Sequence, residues 1–434
     1  MVTSASSGFL DSLLSERPDR LAASAWFDRL RSAALERANA LSVPSTRDED
    51  WRFTDLSALS RLSFQPVDSA PQLRREALAP WLLPDAYAQL LFVDGRWMPG
   101  LSVLPPEQHG IAITGLRAAL RTDRLQSWLG QLAAFDRQLF VALNTAYLHD
   151  AAVVTLDADC SMPGPVHVLH VATGHDKPHA IYPRTLLVAG AGSGCTLVED
   201  FVALGATTYF SAPVTEIALG SNARVQHIRI QREAPGAFHM ATCAVTQSAG
   251  SRYAAVSVAT GAQLSRFDHN IVHREPNCES ELSGLALISA RQLADTHSFV
   301  DHAQPHGRLR QVQKCVVGAR AHAVFNGKVL VREGALQTDA AQSFRGLLLS
   351  DRSRIDAKPQ LEIFADDVKC AHGAAIGQLD SEQLFYLRSR GLRLDAARNL
   401  LTYAFAHEVI ERIPLAALAA TLARTVLERT QENT

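Results

Sequence analysis

The chain has 434 residues, 20% of them charged, with a formal net charge of −2 and 47% hydrophobic residues. That length calls for two or three domains, and a near-neutral charge argues against a nucleic-acid protein, which carries a basic stripe. No apolar run approaches the roughly 20 residues that span a bilayer, so no membrane association is expected.

The segment Met1–Glu16 lacks a basic start and a continuous apolar stretch, so it does not read as a secretory leader. Cysteines occur at 160, 195, 243, 278, 315 and 370, with no Cys-x-x-Cys pair. Reduced thiols in a cytoplasmic protein are expected. Trp26, Phe27, Leu30 and Ala34 recur at helical spacing, followed by a break at Ser42-Val43-Pro44-Ser45. The run Asp48-Glu49-Asp50-Trp51-Arg52-Phe53-Thr54-Asp55-Leu56 reads as a solvated helix start with Trp51 and Phe53 tucked into a core; cation binding is the rival reading. Asp94-Gly95, between Leu90 and Trp97, predicts a type I′ hairpin. Leu125, Trp128, Leu129 and Leu132 predict helix again from about Leu116 to Leu148. Residues 1–150 thus form an expected N-terminal helical domain with a small β-hairpin.

From about Ala151 the texture changes to short alternating segments, such as Val166–Val171, Arg224–Ile230, Arg252–Val258, Ser283–Ile288, Gln313–Val317, Lys328–Val331 and Gln360–Ile363. No amphipathic helix separates them, which excludes a Rossmann-type sheet with crossover helices. Turns with glycine or asparagine recur at irregular intervals, as in Gly192-Ser193-Gly194, Gly220-Ser221-Asn222 and Ala249-Gly250-Ser251. The expected fold is mainly β, a parallel β-helix over 151–378 with a β-sandwich as runner-up. Residues 379–434 predict a C-terminal helical domain. Asp380 with Gln383 resembles a capping box, Gly391 closes that helix, and Pro414 ends the next one. The third helix runs from Leu415 to about Glu428. Its apolar stripe serves packing, with a partner surface as the alternative.

Several kinds of chemistry are ruled out. Gly190-Ala191-Gly192-Ser193-Gly194 precedes a strand, whereas a phosphate loop needs a following helix. Gly327-Lys328 is followed by Val329, so it is no nucleotide loop, and no nucleophile elbow or His-Glu-x-x-His occurs. Cys370 and His372 sit two apart on a predicted strand and so share a face. Thiolate and imidazole suit iron, zinc or an iron–sulfur cluster. Two ligands do not close a site, so others would come from elsewhere, another chain included. The plainer reading is a buried cysteine beside a surface histidine. In the cluster from Asp295 to His302, followed by His306, one strand face would carry Asp295, His297 and Asp301, and His302 would point away. One histidine in that trio fits an Fe(II) site poorly. His167, His170, His175 and His179 show no ligand spacing.

A set of motifs carries a resemblance. They are Asp48–Leu56, Asp295–His302, Ala323-Val324-Phe325-Asn326-Gly327-Lys328, Gln337–Gln342, Ala357–Ile363, Asp366–Ala374 and Leu384–Gly391. In these the chain resembles the SufB/SufD family, the scaffold proteins of the Suf iron–sulfur cluster assembly machine, most densely from about Asp295 to Pro414. The resemblance implies a right-handed β-helix flanked by helical domains, in a non-catalytic scaffold subunit. It implies pairing with a SufB paralogue and binding of the ABC-type ATPase SufC by the C-terminal helical domain. It further implies a transient iron–sulfur cluster at the SufB interface, none stably bound to the chain alone, and reduced flavin in the complex. The histidine implicated in nascent cluster assembly corresponds to His372, with Cys370 beside it as the second candidate ligand. Ser343-Phe344-Arg345 holds no thiol where the SufB branch carries a cluster-building cysteine. Unpaired sheet edges of a β-helix predict a homodimer for the isolated chain. Two rival functions are a β-helix carbohydrate-active enzyme, which would present paired carboxylates, and a self-contained metal protein using Asp295, His297, Asp301 and Cys370.

Overall fold

The computed structural model describes residues 7–15, 24–67, 71–106 and 108–432. Alternating side chains let each strand bury one face inward while the other faces outward, and two sheets wind up the chain on that principle. One is twelve-stranded; its main path runs Arg354–Ile363, His322–Val331, Leu293–His302, Leu264–His273, Ala237–Gln247, Val214–Leu219, Arg184–Ala189, Ala152–Leu156 and Ile111–Gly115. The other is ten-stranded, in the order Lys369–Gly377, Asp339–Leu348, Arg308–Val317, Glu279–Ile288, Arg252–Ala259, Arg224–Arg232, Gly194–Ala203, Val166–Ala172, Ala88–Val93 and Arg96–Trp97. Successive coils pair in parallel, as Leu264 with Leu293 and Leu293 with His322. Parallel ladders define a β-helix and exclude the sandwich, whose neighbouring strands run antiparallel.

The core is a set of stacked ladders. Val154, Leu187, Ile217, Val245, Ile271, Val300, Val329 and Leu361 are in-register partners from coil to coil. All but Leu361 are buried, and each such side chain contributes about 1.5–3 kcal/mol on burial. One corner is equally regular. Asp159, Gly192, Asn222, Gly250, Asn277, His306 and Gln337 all adopt positive φ. Each donates its N–H to a carbonyl of the next coil, from Asp159 to Ala191 through Gln337 to Asp367. Gly192, Asn222 and Gly250 are the glycine and asparagine turns visible in the sequence, residues that suit the left-handed region; Asp159, His306 and Gln337 adopt it despite their side chains.

The Asp94-Gly95 hairpin forms as expected, with φ of 49° and 77° and Phe92 opposite Trp97. Its first strand also pairs in parallel with Val166–Ala172, so the hairpin opens the ten-stranded sheet. The Ala25–Ala40 helix buries Phe27, Arg31, Ala34 and Ala38. The long helix expected over 116–148 does not form. The segment breaks into Leu116–Ala119, a 3-10 turn at Asp123–Ser127, and Leu139–Ala146. Gly130 turns the chain at φ 76°, and the Glu216 carboxylate accepts the amides of Gly130, Leu132 and Ala133 at 2.9–3.1 Å. Buried Arg184 holds that carboxylate at 2.5 Å. A distant ion pair thus replaces the helix's own hydrogen bonds.

Phe9, Phe64 and Phe140 pack on Phe210, Phe238 and Leu264 at the twelve-stranded sheet. At the other end Asp380 caps Ser381–Ser389 by accepting from Glu382 N and Gln383 N, and Gly391 follows at φ 93°. Helices Leu394–Ile410 and Ala416–Glu432 lay Val409, Ile410, Leu422 and Val426 on Ile228, Val256, Leu285 and Val316 of the ten-stranded sheet. Buried Lys314 fastens them, donating to the Phe405 carbonyl at 2.9 Å and pairing with Glu408. Among the described residues no helix is long and apolar enough to cross a membrane.

Candidate functional site

The last coil differs from those below it. Its strands, Arg354–Ile363 and Lys369–Gly377, each end a sheet with one edge unpaired. The first is half-buried at most positions, and the second is exposed everywhere except Cys370. Ile363, Phe364 and Ile376 are exposed apolar side chains at this end.

His372 lies on the Lys369–Gly377 strand, at the end of an interior ladder. Going up the coils, the in-register residues are Leu197, His227, Ala255, Leu282, Gln311, Gln342 and His372. The ladder turns from aliphatic to amide before it reaches the open end. Gln311 Nε2 donates to Ser298 Oγ at 2.8 Å, and Gln342 Nε2 donates to Gln311 Oε1 at 2.9 Å. Gln342 Oε1, one position below His372, is buried and has no hydrogen-bond partner among the described residues. Cys370 pairs in register with Ala340 and packs half-buried on the core. Burial holds its thiol above the ordinary value, against a contact from the Ala340 backbone. A protonated thiol is a poor ligand. His372 is exposed and presents an imidazole to whatever covers the coil. The other cysteines are also free, and burial pushes Cys195 and Cys315 up to about 12.

The polar cluster on Leu293–His302 does not form a metal site. Asp295 Oδ2 accepts from Arg266 at 2.7 Å and from Thr54 Oγ1 at 2.6 Å, and His297 Nε2 lies 3.0 Å from Oδ1. Burial raises the pKa of Asp295, but His297 and Arg266 outweigh it and bring it to about 2. Asp301 pairs instead with Arg332. His302 faces inward against His273, with ring centroids 4.5 Å apart. Of the four residues of the self-contained metal reading, Asp295 and His297 stay together, while Asp301 turns to Arg332 and Cys370 lies on the other sheet, so the four do not converge. What the sequence did not reveal is the link to the tryptophan motif. The Arg266 guanidinium lies 3.8 Å over the Trp51 ring and donates to the Asp50 carbonyl at 2.7 Å. Glu49 reaches Lys358 at 2.8 Å. Two motifs far apart in sequence make one structural junction that straps the N-terminal segment across the coils.

These features define a parallel β-helix protein, flanked by helices, whose open last coil exposes one histidine. The comparisons agree with that class. Residues 170–405 match the family model described as SUF system FeS cluster assembly, SufBD core domain, and 12–168 match the SufBD protein N-terminal region. The chain is 39% identical over 412 residues to an iron–sulfur cluster assembly SufBD family protein of Synechocystis, covering 92% of this chain and 90% of the relative. It is 32% identical over 396 residues to the chloroplastic protein ABCI7 of Arabidopsis thaliana, covering 89% and 82%. It is 29% identical over 383 residues to the iron–sulfur cluster assembly protein SufD of Escherichia coli, covering 87% of each chain. The chain belongs to the SufB/SufD family of iron–sulfur cluster assembly proteins.

Proposed function

We propose that the chain is the SufD-type, non-catalytic scaffold subunit of a cytoplasmic Suf complex. It pairs with a SufB paralogue across its last coil, and His372 contributes to a nascent cluster assembled at that interface. One observation carries the reading: both sheets end in strands with one edge unpaired, half-buried in one and exposed in the other, and His372 stands on the exposed one. Unpaired edges template the addition of further strands, and Ile363, Phe364 and Ile376 give such a partner apolar surface to cover. Two candidate ligands, Cys370 and His372, leave a metal site incomplete, so the partner supplies the rest. In the absence of SufB a second copy of this chain takes the same surface, giving a homodimer. Reduced flavin is not part of the proposal, because no feature of the site argues for it.

The SufC ATPase docks on the C-terminal helical domain, 379–434. Helix Ser381–Ser389 supports this: it buries no residue, and Phe385 and Tyr386 are 75% and 56% exposed. ATP-driven association of two ATPase subunits would pull on these helices and, through Lys314 and the ten-stranded sheet, on the coils that carry His372. The test is anaerobic purification of the chain co-expressed with SufB and SufC, with iron and acid-labile sulfide assayed. A three-component complex holding both, when this chain alone holds neither, is the expected result. A chain that purifies without either protein would overturn the proposal.

A further inference from the structure

A second set of ligand-type side chains converges at the opposite end of the β-helix. Asp94 stands at the left-handed hairpin turn, with its carboxylate fully buried. Thr173 fixes that carboxylate, its N–H donating to Oδ1 at 2.8 Å and its hydroxyl to Oδ2 at 2.6 Å. His175 Nε2 lies 3.0 Å from Oδ2 and His179 Nε2 lies 3.9 Å from Oδ1. The two imidazole rings are 4.3 Å apart, and one ligand atom from each of the three residues falls within 4.8 Å of the others.

A hydrogen-bonded pin between hairpin and coil would account for Asp94 and His175. It would not account for His179. That ring is 2% exposed and stacks on Tyr209; the Lys177 backbone lies against it, but its Nε2, 3.9 Å from Asp94 Oδ1, makes no close hydrogen bond among the described residues. Burying such a group without a partner is costly, and an ion accepting the Nε2 lone pair would remove the cost.

The donor set selects the ligand. Two imidazoles and one carboxylate suit first-row divalent metals and do not suit magnesium or calcium, which take oxygen donors. Around a tetrahedral ion the ligand atoms stand about 3.3 Å apart. Asp94 Oδ2 and His175 already have about that spacing, and His179, 3.9 Å from Oδ1, would move inward to complete it. The metal would take the place of the proton shared by His175 and Asp94. Thr173 would hold the carboxylate from behind, as outer-sphere groups do. His175 is 29% exposed and lines the route in.

We infer that Asp94, His175 and His179 form a binding site for one divalent first-row metal ion, with iron(II) favoured by the two-histidine, one-carboxylate set. The site is separate from His372. Eight strand spacings divide Ala88–Val93 from Lys369–Gly377 along one sheet, about 38 Å.

The test uses the untagged full-length chain, stripped with chelator and titrated with Co(II) as a spectroscopic probe, then with Fe(II) under anaerobic conditions. One equivalent bound, with ligand-field absorption, is expected. His175→Ala, at a partly exposed position, should keep the far-UV circular dichroism of the parent and weaken binding by about 10–100-fold. His179→Ala should do the same, and His372→Ala should leave binding unchanged. No binding by the parent chain would overturn the assignment. So would undiminished binding in His175→Ala, or a loss confined to His372→Ala.

Discussion

The two ends of the β-helix solve the same problem in opposite ways. At the start, the sheets finish in short antiparallel strands, Arg96–Trp97 and Ile111–Gly115. The buried Asp150 carboxylate ties this cap together, accepting from the amides of Trp97, Leu116 and Ala151. At the finish, Leu361 and His372 continue ladders that are buried in the coils beneath them, yet among the described residues no further strand lies above. A capped end leaves only short strand edges to pair with another chain. An open end of the same construction leaves edges that template further strands, which is the basis of the proposed pairing. The contrast also separates stability from function: interior coils should be sensitive to folding perturbations, and the last coil to assembly perturbations.

The largest effect that would break this contrast is pH. Burial holds His167 and His269 down at about 3 and His170 down at about 4. For His302, Asp301 opposes that effect, and the result is again about 4. The unfolded chain binds protons on these groups first, so stability is full above pH 6.5 and falls as pH drops toward 4. Each contributes a loss on the order of 2 kcal/mol between pH 6.5 and 5. Urea unfolding at pH 7 and pH 5 measures it, and equal stability at both would refute neutral buried histidines. Next is Arg184→Ala, which leaves Glu216 buried without its cation and should cost about 3–5 kcal/mol, read by the same unfolding experiment. At the corner ladder, His306→Gly removes a left-handed non-glycine residue and should stabilise by about 0.5–1 kcal/mol. A thermal melt checks the sign. Smallest for the fold, Ile376→Asp should change unfolding by less than about 0.5 kcal/mol. It should nevertheless abolish self-association in sedimentation velocity.

How much of this was legible in the sequence depends on how local the cause is. Period-two alternation placed Cys370 and His372 on one face, and the register bears that out. Asp94-Gly95 specified its own turn, and Asp380 its own cap. The segment 116–148 was misread because Glu216, far along the chain, dictates its path. His175 and His179 showed no ligand spacing because their third companion, Asp94, sits on a hairpin that only the stacking of coils brings near. Thr54 and Asp295 belong to motifs that were both visible, but their hydrogen bond was not. Alternation reads alike in Val300 and Leu361, so it does not tell which coil is last.

The most direct test of the account is His372→Ala in the co-purified complex with SufB and SufC, with iron and acid-labile sulfide measured per complex. The account predicts an intact complex with its cluster content lost. Normal cluster content on an intact complex would contradict it.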